Sequence, residues 1–211
     1  MKRIIIFYLG IISACFVHAT DLGKAISDGN LVQVKAILNS QPGLINVKDN
    51  QGWTPLIQAL IEEKKDIALE LINCGADVLT GDNENTQPVH FAAIIGSIEL
   101  FEMIRSRGAG LDQKDDNGVT PLMYSIRGKQ PEMSKYLLEK GADVKLVSNF
   151  QWSLLLYTAI YGQTETARLL IGKKADVNSK NRDGLTPLHS AVSFGRTDIV
   201  KLLIENGARL N

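Results

Sequence analysis

The chain has 211 residues, 45% of them hydrophobic and 22% charged, with 23 basic against 23 acidic side chains and no formal net charge. That composition is that of one ordinary soluble domain able to build a core, and it argues against a disordered chain. Lys and Arg are mixed with Asp and Glu throughout, which argues against a nucleic acid or other polyanion as partner.

Residues 1–19 differ from the rest. Lys2 and Arg3 precede an apolar run from Ile4 to Ile12, followed by small residues and Val17-His18-Ala19, the three-part pattern of a secretory signal peptide. The run falls short of the roughly 20 apolar residues that span a bilayer, so export is expected in preference to a permanent transmembrane helix. Val17 and Ala19 place cleavage after Ala19, giving a mature chain from Thr20 in the periplasm or secreted. Ile12-Ser13-Ala14-Cys15 is a competing site that resembles the bacterial lipoprotein motif, with Cys15 lipidated and the protein held at a membrane. Loss of residues 1–19 removes two basic side chains and no acidic one, leaving 21 against 23 and a charge of −2. Cys74 is then the single thiol, so no internal disulfide staples the fold.

From residue 20 onward one interval organises the sequence. Pro55, Pro88, Pro121, Leu154 and Pro187 are spaced 33 residues apart. Gly75, Gly108, Gly141, Lys174 and Gly207 keep the same step, followed by Ala76, Ala109, Ala142, Ala175 and Ala208. The predicted units are 20–49, a degenerate N-terminal cap, then 50–82, 83–115, 116–148, the irregular 149–181, and 182–211. In the cap, Ala25, Gly29 and the Val34, Ile37, Leu38 face keep the spacing, while Gln41-Pro42-Gly43 lengthens the loop by one residue.

Each unit reads as hairpin, helix, helix. Asn117-Gly118 and Asp183-Gly184 are tight-turn dipeptides at hairpin tips. In the last unit Thr186 caps a helix that Pro187 starts, and Gly195 stops it. A second helix begins near Asp198, turns Ile199, Val200 and Leu203 inward and stops at Gly207. Helices this short fall below the roughly 12–15 residues that an isolated helix needs in water. Neighbouring units must therefore share a core.

The pattern of Asp, Gly, Thr-Pro-Leu-His, Gly, Leu-Leu, Gly-Ala and Asn from Arg182 to Asn211 resembles the ankyrin repeat family, as do residues 50–211 as five units and, more loosely, 20–49. The resemblance implies an all-α solenoid of helix-turn-helix units joined by β-hairpin loops, protein binding without enzymatic activity, and no cofactor. Two departures matter. Phe150-Gln151-Trp152-Ser153-Leu154-Leu155 lacks the turn glycine, the proline and the histidine, so a distorted hairpin is expected there. No further polar unit follows Asn211, so the last outer face must tolerate water or be covered.

Polar constellations reduce to structural roles. His18 leaves with the leader; His90 and His189 fall in the same slot three units apart, roughly 30 Å at 8–10 Å per packed helix, too far to share a metal. Bracing of helix start and hairpin is the expected role. Asp66, Glu99, Glu132, Glu165 and Asp198 recur at first turns of second helices, where a carboxylate offsets the helix dipole. Asp49, Asp82 and Asp115 precede the hairpin tips as turn residues, and Asp115-Asp116-Asn117-Gly118 lacks the ligands of a calcium loop. Gly108-Ala109-Gly110 and Gly128-Lys129-Gln130 fail as phosphate loops. No nucleophile stands with a base at one repeat height, and Cys74 reads as a packed or half-exposed thiol.

The variable slots carry the functional signal. Two residues before the key proline stand Trp53, Thr86, Val119, Trp152 and Leu185; near the ends of first helices stand Ile61, Ile94, Ile95, Ile160, Tyr161 and Phe194. The resemblance places both series on the concave side, where rigidly held aromatic side chains anchor protein interfaces. The candidate partner-binding residues are Trp152, Tyr161, Phe150, Trp53, Ile94, Ile160 and Phe194. A general binding module is the leading expectation, and a dedicated inhibitor or immunity-type regulator of one enzyme is the alternative.

Overall fold

The computed structural model describes residues 21–209; the expected signal segment lies outside them. Twelve α-helices, in pairs, make up the described chain. The pairs are α1 (Asp21–Ser27) with α2 (Leu31–Ser40), α3 (Pro55–Ile61) with α4 (Lys65–Asn73), and α5 (Pro88–Ile94) with α6 (Ile98–Ser106). They continue with α7 (Pro121–Arg127) and α8 (Pro131–Glu139), α9 (Leu154–Tyr161) and α10 (Thr164–Gly172), α11 (Pro187–Ser193) and α12 (Thr197–Glu205). A 3-10 turn, Pro42–Asn46, packs against α2 and α3 and fills the lengthened loop of the first unit.

Local chemistry accounts for where these helices begin. Pro55, Pro88, Pro121 and Pro187 open α3, α5, α7 and α11, where a missing N–H costs no hydrogen bond. The Thr54 and Thr186 hydroxyls accept from the backbone N–H of Ile57 and His189. Where the proline is absent, Ser153 still accepts from the N–H of Leu156 at 3.4 Å. Asp66, Glu99, Glu132, Glu165 and Asp198 all lie in first turns of second helices, as expected.

Each hairpin is held by one side chain more than by a strand ladder. Asp49 accepts from the N–H groups of Gln51 and Trp53, Asp82 from Glu84 and Thr86, and Asp115 from Asn117 and Val119. Asn181 does the same for Asp183 and Leu185. The hairpin arms are too short to register as strands, and an isolated bridge between Val147 and Ser153 is the nearest approach to β structure in the described residues.

The expected distortion of the fifth hairpin is not found. Ser148 takes the clamp role, receiving the Trp152 N–H on its hydroxyl at 3.3 Å while its own N–H donates to the Trp152 carbonyl at 3.2 Å. Gln151 adopts the left-handed φ of +61° that Gly52, Gly118 and Gly184 take in the same slot. The turn's hydrogen bonds fix the conformation, and the side chain bears the cost instead of the geometry.

Neighbouring first helices pack more closely than neighbouring second helices, so the stack curves with first helices and hairpins on its concave side. One apolar cluster runs from Leu22 to Leu202, with Phe101 its largest fully buried side chain. A second, smaller cluster of Ala159, Leu188, Ala191, Ile199 and Leu203 serves the last unit. Val200, expected inward, is only half-buried, and Leu202 takes the buried place beside Leu203. Hairpin tips are tied across units: Asp116 N–H to Glu84 O, Asn149 N–H to Asn117 O, and Arg182 N–H to Phe150 O.

Candidate functional site

On the concave face, the fifth unit assembles a row of rings. Trp152, on the hairpin arm, meets Tyr157 edge-on at a centroid distance of 5.7 Å, and Tyr157 stacks on Tyr161 at 6.2 Å with 17° between planes. Two of the expected residues, Trp152 and Tyr161, are thus joined through a third that sequence reasoning passed over. Tyr157 is buried, and burial pushes its hydroxyl up to about 12. The overlooked signal was the column Gln58, Phe91, Tyr124, Tyr157 and Ser190, again 33 residues apart.

Tyr124, one unit earlier in that column, donates its hydroxyl to Asp115 at 2.8 Å and lies 3.5 Å from the Thr86 hydroxyl. Burial first, then the facing Asp115 charge, holds its proton far above the usual tyrosine range. The Arg127 guanidinium sits 5.8 Å from the centre of the Tyr124 ring, close enough to favour the ionised form of Tyr124 and of Tyr157 alike.

The other expected residues divide. Phe150 is 57% exposed at its hairpin tip, with the Arg182 guanidinium 5.9 Å from its ring centre. Phe194 is 53% exposed on the last unit. Ile94 and Ile160 are half-buried, and their carbonyls accept from Gln130 and Arg196 of the following units, so part of their role is packing. Trp53 is half-buried three units before the row and bonds Asp49 through its backbone.

The histidines take the bracing positions expected of them. His90 is 0% exposed; its Nδ1 accepts from the Gln87 N–H at 3.0 Å and its Nε2 lies 2.8 Å from the Gln113 carbonyl. Burial lowers its pKa. His189 makes the equivalent Nδ1 contact to Thr186 but is otherwise exposed. Cys74 is exposed, its thiol 3.6 Å from Glu70 and its pKa raised by partial burial and that carboxylate; it is not an activated nucleophile. Among the described residues no three His, Cys, Asp or Glu side chains converge as metal ligands. An open depression of about 490 Å³ lies away from the rings, between the ends of α8 and α10, lined by Gly141, Asp143, Lys173 and Lys174 among others.

A curved stack of helix pairs with short clamped hairpins, presenting side chains along one concave face, defines a repeat scaffold. The ankyrin repeat family, described as ankyrin repeats in three copies, matches residues 79–148 and again 143–211, and the chain belongs to it. Ankyrin repeats are protein–protein interaction modules. Among relatives, inversin of Gallus gallus is 28% identical over 121 residues, 57% of this chain but 11% of inversin. An ankyrin repeat protein of fowlpox virus is 30% identical over 135 residues, 63% of this chain and 31% of its own length. The chain thus spans less than a third of either relative. Among solved structures, an ankyrin repeat domain from Acinetobacter baumannii is 32% identical, with a TM-score of 0.73, covering 89% of this chain and 98% of that one. The ankyrin repeat domain of Bcl-3 is 27% identical with a TM-score of 0.72, covering 90% and 87%.

Proposed function

We propose that this chain is an exported, non-enzymatic scaffold that grips a protein partner in its concave groove, centred on the fifth unit. The observation that carries this reading is the row Trp152, Tyr157, Tyr161, held edge-on and stacked on a rigid helix and hairpin. Large rings already fixed in place lose little freedom on binding, which is why such residues dominate interface energies. Export rests on the Lys2-Arg3, Ile4 to Ile12 and Val17-His18-Ala19 pattern.

Affinity capture with residues 20–211 as bait tests the reading, followed by titration of the captured partner. Trp152→Ala should weaken the complex by at least about 1 kcal/mol with the helical circular dichroism unchanged. Unchanged affinity removes the fifth unit as the site. Mass spectrometry of the mature N-terminus tests export separately: Thr20 is the expected first residue, a lipidated Cys15 relocates the protein to a membrane, and an intact Met1 refutes cleavage.

A further inference from the structure

The repeat columns show how differently the two ends of the stack meet water. Near the end of each first helix, Leu60, Ala93, Ile126 and Ala159 are 0% exposed, whereas Val192, in the same slot of the sixth unit, is 63% exposed. On second helices, Ile204 at 49% stands where Ile72 and Leu138 are buried, and half-buried Val200 stands where Ala68, Phe101, Ser134 and Ala167 are wholly covered. These columns are the side that each inner unit buries against the unit after it. Val200 and Ile204, four apart, share one face of α12. With Val192, and Leu185 on the hairpin arm, they carry the apolar seam between units out to the surface.

The opposite end is polar. With its register one residue longer, the first unit puts exposed Gln33 in the column of Ile67, Leu100, Met133 and Ile199, each at most 2% exposed. Exposed Lys24, paired with Asp28, takes the column of Phe91, Tyr124 and Tyr157. Pressing Val192 and Ile204 against that end would bury Gln33 and Lys24 against groups that cannot pair with them. Copies of the chain are therefore not matched head to tail. The apolar surface that does match the outer face of the sixth unit is the same face on a second copy. Its border carries both signs, with exposed Lys201 and Glu205 one turn apart on α12.

We infer that the outer face of the sixth unit is a self-association surface, on which two copies pack tail to tail about a twofold axis with Val192, Val200 and Ile204 at the centre. Such a contact uses the same patch on both copies and closes at two, whereas a head-to-tail contact propagates. With the two α12 helices antiparallel, Lys201 of one copy lies toward Glu205 of the other, so the border is complementary to itself. The inference does not rest on the concave-groove reading, since this face points along the stack and the groove runs across it.

Sedimentation velocity of residues 20–211 from about 1 μM to about 1 mM tests it. A monomer–dimer equilibrium is expected, and small-angle scattering should show the dimer extended along the stack. Val192→Glu with Ile204→Glu should leave a monomer over the whole range, because a carboxylate buried without a partner opposes the contact. Both positions are exposed in the single chain, so the circular dichroism should not change. Val192→Ser serves if that variant unfolds, with the dimer weakened about threefold or more. Val32→Glu, at a residue 79% exposed in the first unit, should leave the dimer intact. Lys201→Glu should weaken it about two- to fivefold, and adding Glu205→Lys should restore it; a swap that restores nothing overturns the antiparallel packing. A chain still monomeric at about 1 mM, or a dimer that survives Val192→Glu with Ile204→Glu, overturns the inference. So does a ladder of ever longer assemblies, which is the head-to-tail outcome. A dimer lost in Trp152→Ala but kept in the end-face variant moves self-association to the groove and overturns it as well.

Discussion

Lys174→Gly isolates the cost of a left-handed backbone in this fold. Gly75, Gly108, Gly141 and Gly207 close their second helices at φ between +85° and +106°, while Lys174 does so at +64°. Its N–H still donates to the Ile171 carbonyl at 2.8 Å, so the turn is formed and only the Cβ is penalised. The left-handed region costs a residue with a Cβ roughly 1–2 kcal/mol, and glycine returns about 0.5–1 kcal/mol of that through its freer unfolded chain. The net gain expected for Lys174→Gly is about 0.5–1 kcal/mol, or about 1–4 °C in Tm for a domain of this size. The mirror change, Gly141→Lys, should cost a similar amount, because no atom lies within 4 Å of a Cβ built there. Urea unfolding followed by circular dichroism, with the slope held in common, reads both. A neutral or negative Lys174→Gly, or a harmless Gly141→Lys, refutes the argument. An equal gain from Lys174→Ala assigns the effect to the lysine side chain and not to φ.

Three further outcomes follow from the packing. Gly128→Ala should destabilise by about 1–3 kcal/mol, since the new Cβ meets the Ile94 carbonyl; Gly172→Ala, with open space around it, should be close to neutral in the same denaturant assay. Tyr124→Phe removes the hydroxyl that serves the buried Asp115 and should cost about 1–3 kcal/mol, read by urea midpoint. His90, its pKa lowered by burial, stays neutral in the native chain at a pH where the unfolded chain takes up a proton. Its contribution is therefore complete above the ordinary value of 6.5 and declines as pH falls from there toward the folded-state pKa. The difference in slope between wild type and His90→Gln over that window, from unfolding free energies at stepped pH, measures it.

Much of this architecture was legible because one interval repeats the same physical tasks. Proline starts, left-handed stops and hairpin carboxylates each mark a job that any unit must do, and the columns 33 residues apart expose them. The same columns misled at the fifth hairpin. Missing glycine and proline read as missing structure, yet Gln151 takes the glycine's left-handed φ, Ser153 caps the helix that lacks its proline, and Ser148 serves as the hairpin clamp. Tyr157 was hidden for a different reason: Leu154 to Ala159 of α9 are all buried, so the helix has no polar face against which a groove-lining ring stands out.

The division of the apolar interior has a temporal consequence. In a stack whose stability is a sum of unit and interface terms, the last unit rests mainly on the small cluster around Leu188 and Leu203, which Ile171 and Val177 join to the long one. Opening should begin there, with α11 and α12 peeling away before the rest loosens. Amide protons of those two helices are then the first to exchange with solvent. Phe194, at the far end of the concave face, rides on the part that opens, so a bound partner reaching it would also act as the clasp that slows the peeling.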